Sequence, residues 1–529
     1  MEGLFGWVEG SAVYAVFRAL NRGLWRLWDG STVARALQQS LRELWRRSAV
    51  ATVVEAFAAW MRHSFVGSLL TVSVVSQPSV LARWLRREIG AERELFRATR
   101  VEKFLLYFVV FFVPVEIWLI TFLPLTTKYL GDLALILLLL GSLFRLQQAG
   151  WPLRRTPADL PVAILLATGI LSTVWNSVPM HIAVFGLRAY LEYFALYLVV
   201  AYLPWPDQER RALLLWFLAL GIAIALFGDA QTILHVATPR AWLSTLEAAT
   251  TRAFGTMGNP NTFGAFLIWL LSLLMALLVL PVRGGVRLLA LLGMAIALPA
   301  LFFTLSREAL LAAAVTALFI AVAADRRLLV PLILGALAVP VLDPHIVSRF
   351  AIALSGDYIR VSSSYGRLLF WERGLQAFLA NPLLGWGPGR FGGSVAHLFG
   401  SPVYYLLRLG EKPIIDSQHV QTLAELGVVG YIAYLWLGLA AVRTGLKLFR
   451  EDDDPFWRAI GLALAAGTIG LYVQSLFASL LETHPVILVF WLIFGMSAYR
   501  LRMRARATPQ ASRDEAQHNR KDRDGAAAV

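Results

Sequence analysis

The chain has 529 residues, 58% of them hydrophobic, with a mean hydropathy of +0.63 and a formal charge of +14. That balance excludes an ordinary soluble globular protein, and the lack of cysteine removes disulfides, thiolate catalysis and cysteine-ligated metals. A strongly basic chain suggests nucleic acid, but here the arginines alternate between connections as in a membrane protein, so no nucleic-acid partner is expected.

Residues Met1–Arg100 differ from the rest of the chain. Phe5, Val8, Ala12, Val16, Leu20 and Leu24 recur at helical spacing, with Arg18, Arg22 and Arg26 on another face. A second pattern runs through Val33, Leu37, Leu41 and Leu44, and a third, Val80–Phe96, carries Arg83, Arg86, Arg87 and Arg93. The sequence predicts either a basic amphipathic region on anionic inner-leaflet lipid or a small helical domain. No secretory signal pattern is expected at the N-terminus.

From residue 101 to 500 the pattern predicts an all-α polytopic membrane domain. Apolar runs suited to a ~30 Å hydrocarbon core recur. They are Phe104–Phe122, Gly131–Phe144, Leu160–Val174, Ile182–Leu203, Leu213–Leu234 and Thr262–Leu280. Leu288–Phe303, Ala309–Ala324, Leu328–Leu342, Leu426–Val442, Ile460–Ala478 and Val486–Ala498 complete the series. Arg145, Arg154 and Arg155, then Arg210 and Arg211, Arg283 and Arg287, Arg326 and Arg327, and Arg443 to Arg458 mark alternate connections as cytoplasmic. The expectation is about twelve spans in the cytoplasmic membrane with both termini inside. Beyond them, residues 501–529 are polar and predicted to be disordered.

One excursion, residues 343–425, is long, polar and predicted to face outward. It breaks the charge bias with Arg349, Arg360, Arg367, Arg373, Arg390, Arg408 and Lys412, which an anionic ligand would explain. Arg307 sits in a narrow polar break, Thr304–Glu308, at the same boundary. Arginine within hydrocarbon costs roughly 2.5–3.5 kcal/mol and is usually paired or functional. It either pairs with Glu308 or binds an anion.

Arg367 begins an amphipathic segment, Tyr365–Leu379, with Leu368, Trp371, Leu375 and Phe378 on one face. Two converging arginines would stabilise a phosphate-type leaving group without a metal, and no metal or other cofactor is expected. Arg252 and Arg390 are secondary candidates. Gly387–Gly392 fits G-x-G-x-x-G, but no strand precedes it, and a tight turn is the reading preferred over a dinucleotide site. Asp416 and His419 precede the next span and share a helix face. Either can serve as the base toward a hydroxyl, the plainer readings being a helix N-cap for Asp416 and a satisfied surface histidine for His419.

Taken in order, Gly255–Asn261, Ser306-Arg307, Ser364–Arg367, Pro382–Gly387, Asp416–Gly430 and Glu482–Pro485 resemble the O-antigen ligase and polymerase family of envelope glycosyltransferases. The resemblance covers roughly residues 251–500 and implies a GT-C-like helical membrane enzyme. Its donor would be an undecaprenyl-diphosphate-linked glycan, and its acceptor a hydroxyl on a lipid-linked core or on another lipid-linked glycan. The family's diphosphate-binding arginines would fall on Arg307 and Arg367, and Asn259 and Asn261 are candidate sugar contacts. The family's histidine slot, counted back from Gly427–Gly430, holds Asp416, with His419 one turn on. A transporter of an anionic solute and a non-catalytic component of polysaccharide assembly are the competing readings.

Overall fold

The computed structural model describes residues 100–123, 129–148, 156–203, 205–239, 251–342, 351, 355–407, 409 and 415–526. The basic patterns of residues 1–99 and Arg349, Arg408 and Lys412 lie outside them. The chain divides into two compact units, Met1–Glu102 with Leu140–Pro152, and Lys103–Leu139 with Leu153–Val529. The second unit holds every candidate site residue.

Among the described residues every regular element is helical. In chain order these are α1 (Arg100–Phe112), α2 (Glu116–Leu119), α3 (Leu130–Gln148), α4 (Asp159–Trp175), α5 (Met180–Leu191) and α6 (Phe194–Tyr202). Then come α7 (Asp207–Ile233), α8 (Pro260–Val279), α9 (Gly284–Phe303), α10 (Arg307–Ala323), α11 (Leu329–Leu342) and α12 (Gly356–Tyr365). The rest are α13 (Arg367–Ala380), α14 (Ser394–Phe399), α15 (Pro402–Leu406), α16 (Gln418–Glu451), α17 (Pro455–Gln474) and α18 (His484–Ala526).

Each apolar run seen in the sequence falls on a helix or a helix pair, yet fewer of them are full-length spans than expected. Six described helices are long and apolar enough to cross a membrane: α7, α8, α9, α16, α17 and the His484–Ala505 part of α18. The pair α5 and α6, bent by 47°, adds a seventh if counted as one span. The run Phe104–Phe122 is interrupted at Val113–Val115, a short 3-10 turn. Pro114 lies inside it, lacking an N–H and clashing with the preceding turn. The final helix is described to Ala526, into the segment expected to be disordered. The Ala, Arg, Glu and Gln there are good helix formers.

Packing is tightest around α8 and α17, where Trp269, Phe263, Trp457 and Phe266 are fully buried. Helix α9, by contrast, exposes Leu288, Leu291, Leu292 and Leu298, as a lipid-facing helix does. Small residues set the closest crossings. A Cβ on Gly445 would sit 2.5 Å from the Gly461 carbonyl oxygen, and one on Gly461 would sit 2.6 Å from that of Gly445. Such approaches replace the hydrophobic drive that lipid removes.

The predicted excursion contains α12 to α15, and its amphipathic segment is α13, close to the expected bounds. Its buried positions include small residues, and Trp371 of the apolar face packs against a buried cluster. Gly374 and Ala377 are buried, whereas Leu368 and Leu375 are exposed. A Cβ on Gly374 would meet Val420 at 2.1 Å, so the contact with α16 selects small residues over large ones.

Helix α16 is not straight. Gly427 has φ 64° and ψ −166°, a conformation costly for any residue with a Cβ. Twelve residues of straight helix span about 18 Å, yet His419 Nδ1 lies 3.0 Å from the Tyr431 hydroxyl. The segment before Gly427 therefore folds back on the one after it. The chain Pro382–Gly387 packs into this break: Val428 N donates to the Pro382 carbonyl at 2.8 Å, and Trp386 N and Gly387 N donate to those of Ala424 and Glu425 at 2.9 Å.

Candidate functional site

The site grows from helix ends. Helix α9 stops at Thr304, Leu305 takes a left-handed φ of 51°, and α10 begins at Arg307. A β-region Ser306 is its N-cap, but its buried hydroxyl makes no hydrogen bond. A leucine at positive φ costs of order 1–3 kcal/mol, so the surroundings must hold this turn. Arg252 does so, donating from Nε to the Thr304 carbonyl at 2.8 Å and from Nη2 to Asn261 Oδ1 at 3.0 Å.

Asn259 caps α8, its Oδ1 accepting from Asn261 N at 2.8 Å, with Pro260 at the first helical position. The Asn261 carbonyl accepts from Gln474 Nε2 at 3.0 Å, tying in the end of α17. Arg252, Asn259 and Asn261 therefore frame the site, with the side-chain oxygens of both asparagines engaged.

Arg367, the first residue of α13, reaches two carboxylates. Its Nε donates to Asp416 Oδ2 at 3.3 Å, and its Nη2 lies 3.6 Å from Glu308 Oε1. Glu308 neighbours Arg307 on the first turn of α10, so the helix starts bearing both predicted arginines meet here. The Glu308 side chain is 6% exposed and its Oε1 accepts no hydrogen bond, while that of Asp416 is 47% exposed. Burial raises the Asp416 carboxyl above the usual aspartate range, Arg367 pulls it back, and Glu308 adds to the rise. Helices α8, α10, α13 and α16 all begin within this chain of contacts, so their positive dipole ends add to the guanidinium groups.

Asp416 is not the N-cap of α16. Ser417 is, its side chain accepting from Val420 N at 3.3 Å. Gln418 is buried, donating its N–H to the Ser475 and Ala478 carbonyls at 2.9 and 3.1 Å and accepting from Leu481 N at 3.0 Å. Asp416 is thus held from behind while its own side chain faces Arg367. His419 points elsewhere: Nδ1 faces the Tyr431 hydroxyl and Nε2 the Tyr472 carbonyl, each at 3.0 Å. A carbonyl only accepts, so Nε2 carries the proton and Nδ1 accepts from Tyr431 in the neutral ring. Tyr431, Tyr434 and Tyr472 enclose it edge-on.

Arg390 lies on the glycine-rich loop, whereas Arg307 and Arg367 each begin a helix, and burial lowers its pKa. Gly385, Gly387, Gly389 and Gly392 all have positive φ, in keeping with the tight-turn reading. Two carboxylates that sequence reasoning did not single out hold this loop. Glu425 accepts from Phe391 N and from the Tyr190 hydroxyl, both at 2.9 Å. Glu482 accepts from Ser394 N at 3.0 Å and its hydroxyl at 2.8 Å. A carboxylate just before an apolar run was the available signal for Glu425, and Glu482 stood in a motif without a role. Among the described residues no group of three or more histidines and carboxylates is arranged to hold a metal.

No curated protein matches the chain. A model of the family described as O-antigen ligase matches residues 292–435. That stretch contains the Thr304–Glu308 turn, Arg367, Asp416, His419 and the Gly427 break, and leaves Arg252 and Glu482 outside. Residues 292–435 are thus similar to the family that the motifs resemble, in a chain with six described helices long and apolar enough to cross a membrane.

Proposed function

We propose that the chain transfers an undecaprenyl-diphosphate-linked glycan to an acceptor hydroxyl on the outer face of the cytoplasmic membrane. The supporting observation is Arg367, set 3.3 Å from Asp416 and 3.6 Å from the glutamate beside Arg307. In this reading Arg307 and Arg367 hold the donor diphosphate, with Arg252 bracing the turn and Arg390 on the neighbouring loop. Asp416 removes the proton of the acceptor hydroxyl as its oxygen bonds to the anomeric carbon. The anomeric C–O bond to phosphorus breaks, and its electron pair leaves on the diphosphate, neutralised by the two guanidinium groups. No metal is assigned a part. His419, with both ring nitrogens engaged, is a support for α16 rather than the base.

The same reading takes residues 251–500 as the transferase portion, residues 343–425 as its outward loop, and about twelve spans of a GT-C-like bundle with both termini inside. Residues 1–100 then lie along inner-leaflet lipid. Glycan transfer by the purified chain from a lipid-linked donor tests the proposal. Loss of transfer in the Arg307→Ala, Arg367→Ala double variant supports it, and full activity rules out the assigned roles. Mass spectrometry of lipid-linked glycans in a deletion strain separates the two branches: single repeat units mean lost polymerisation, and long chains on the carrier mean lost ligation.

A further inference from the structure

The two carboxylates on Arg367 are not equivalent. Glu308 is almost wholly buried and fixed on the first turn of α10, where the following residue, Ala309, packs at the level of Gly264; a Cβ there would meet it at 2.5 Å. Asp416 is half-exposed and sits on a non-helical residue ahead of the Ser417 cap. Of the two, Asp416 has the open path away from Arg367, because its side chain is half-exposed while that of Glu308 is 6% exposed. Both contacts are also longer than the ~2.7–2.9 Å of a settled guanidinium–carboxylate bond, at 3.3 and 3.6 Å.

We propose that Glu308 anchors the Nη2 side of Arg367 while Asp416 covers its Nε side as a displaceable gate, so that a diphosphate must take that edge before Asp416 is free to act as base. The inference rests on the diphosphate reading of the site and extends it to an order of binding, donor before acceptor. A diphosphate carries more charge than one half-exposed carboxylate and competes for the same donor edge. Once displaced, the Asp416 carboxylate no longer shares its lone pairs with a guanidinium and can accept the acceptor's proton. Glu308 is a positioning residue in this scheme. It keeps the guanidinium from following Asp416 and leaves it facing the donor.

The experiment is binding of undecaprenyl diphosphate to the purified full chain in detergent, with unfolding temperature recorded for each variant. Asp416→Asn removes the gate, and its affinity is expected to rise about two- to fivefold, the worth of a partly exposed ion pair. Glu308→Gln removes the anchor, lets Arg367 close onto Asp416, and is expected to weaken binding by a similar roughly two- to fivefold. Simple charge repulsion would make both variants bind more tightly, and that result, or no change in either, overturns the inference. If Glu308→Gln fails to fold, Glu308→Asp, which withdraws the carboxylate by one methylene, is expected to weaken binding as well. Arg367→Ala separates the two levels. Loss of binding there with equal signs for the other two leaves the diphosphate reading standing without the gate. Unchanged binding in Arg367→Ala removes both.

Discussion

Arginines and carboxylates meet at both ends of helices α16 and α17, in two different ways. At the Asp452 end, both oxygens of Asp207, Asp452 and Asp454 accept hydrogen bonds. Arg500 reaches Asp452 at 2.8 and 3.1 Å and Asp207 at 3.1 Å; Arg211 takes Asp207 at 2.7 Å and also bonds Asp454; Trp457 Nε1 donates to Asp207 at 2.7 Å. Asp454 caps α17 through Phe456 N at 2.9 Å, and Asp452 accepts from Asp454 N at the same distance. At the Asp416 end, the contacts of Arg367 with Asp416 and Glu308 are longer, and among the described residues neither Glu308 Oε1 nor the buried Ser306 hydroxyl has a hydrogen-bond partner. The first arrangement is closed and locks four helices together, α7, α16, α17 and α18. The second, with longer contacts to Arg367 and a buried Ser306 hydroxyl still able to donate, is the looser of the two, as a site that exchanges one anion for another requires.

The contrast can be tested by asking which variants lose transfer and which lose stability. Asp416→Asn carries the largest expected effect, a fall in kcat of roughly 10²–10⁴ with no rise in the donor KM. Arg500→Ala strands buried Asp452, with Arg504 at 3.7 Å as partial compensation, and should destabilise the protein by about 3 kcal/mol. Its transfer activity per folded molecule should stay near wild type. Arg367→Ala shifts the balance: transfer efficiency falls roughly 10–100-fold, the worth of one charge-assisted bond, while stability falls by less than in Arg500→Ala, because the contact given up with buried Glu308 is 3.6 Å long. His419→Gln removes two hydrogen bonds from an aromatic cage. The expected cost is about 1–2 kcal/mol of stability, with kcat changed no more than a few-fold. A kcat loss as large as that of Asp416→Asn would make His419 the base instead.

The pH profile sharpens the same assignment. The base form of Asp416 exists above its pKa, which burial raises. Transfer should therefore fall as pH drops through that value, with a limb above the ~3.9 of an ordinary aspartate. A limb that vanishes in His419→Gln and persists in Asp416→Asn would point to imidazole.

Much of the helical framework could be read directly, because apolar runs such as Leu160–Val174 and Thr262–Leu280 end at Asp, Pro or Asn residues that also bound helices α4 and α8. Pro114 was equally visible, but composition alone hides whether a proline bends a span or divides it. The expected start of the span at Leu426 misses the earlier Gln418 start, since the folded-back segment and its Gly427 hinge depend on a loop that arrives from 40 residues upstream. The motifs brought forward Arg307, Arg367 and Asp416, and chain spacing made aspartate, not His419, the matching position. What spacing could not supply was the pairing of Arg367 with Asp416 across 49 residues, nor the burial of Glu308, which in the sequence was only a neighbour for Arg307. The oxygens of Asn259 and Asn261 illustrate the converse. Their polarity fits ligand contact and helix capping alike, and tertiary packing employs these oxygens in a cap and a brace.

The most direct measurement is binding of undecaprenyl diphosphate to the purified chain beside its Arg307→Ala, Arg367→Ala double variant. Saturable binding by the wild type, weakened at least roughly 100-fold in a double variant that unfolds at the same temperature, is the expected result. Equal affinity in the two proteins would contradict the account, because the helix ends gathered around Arg367 would then have no diphosphate to hold.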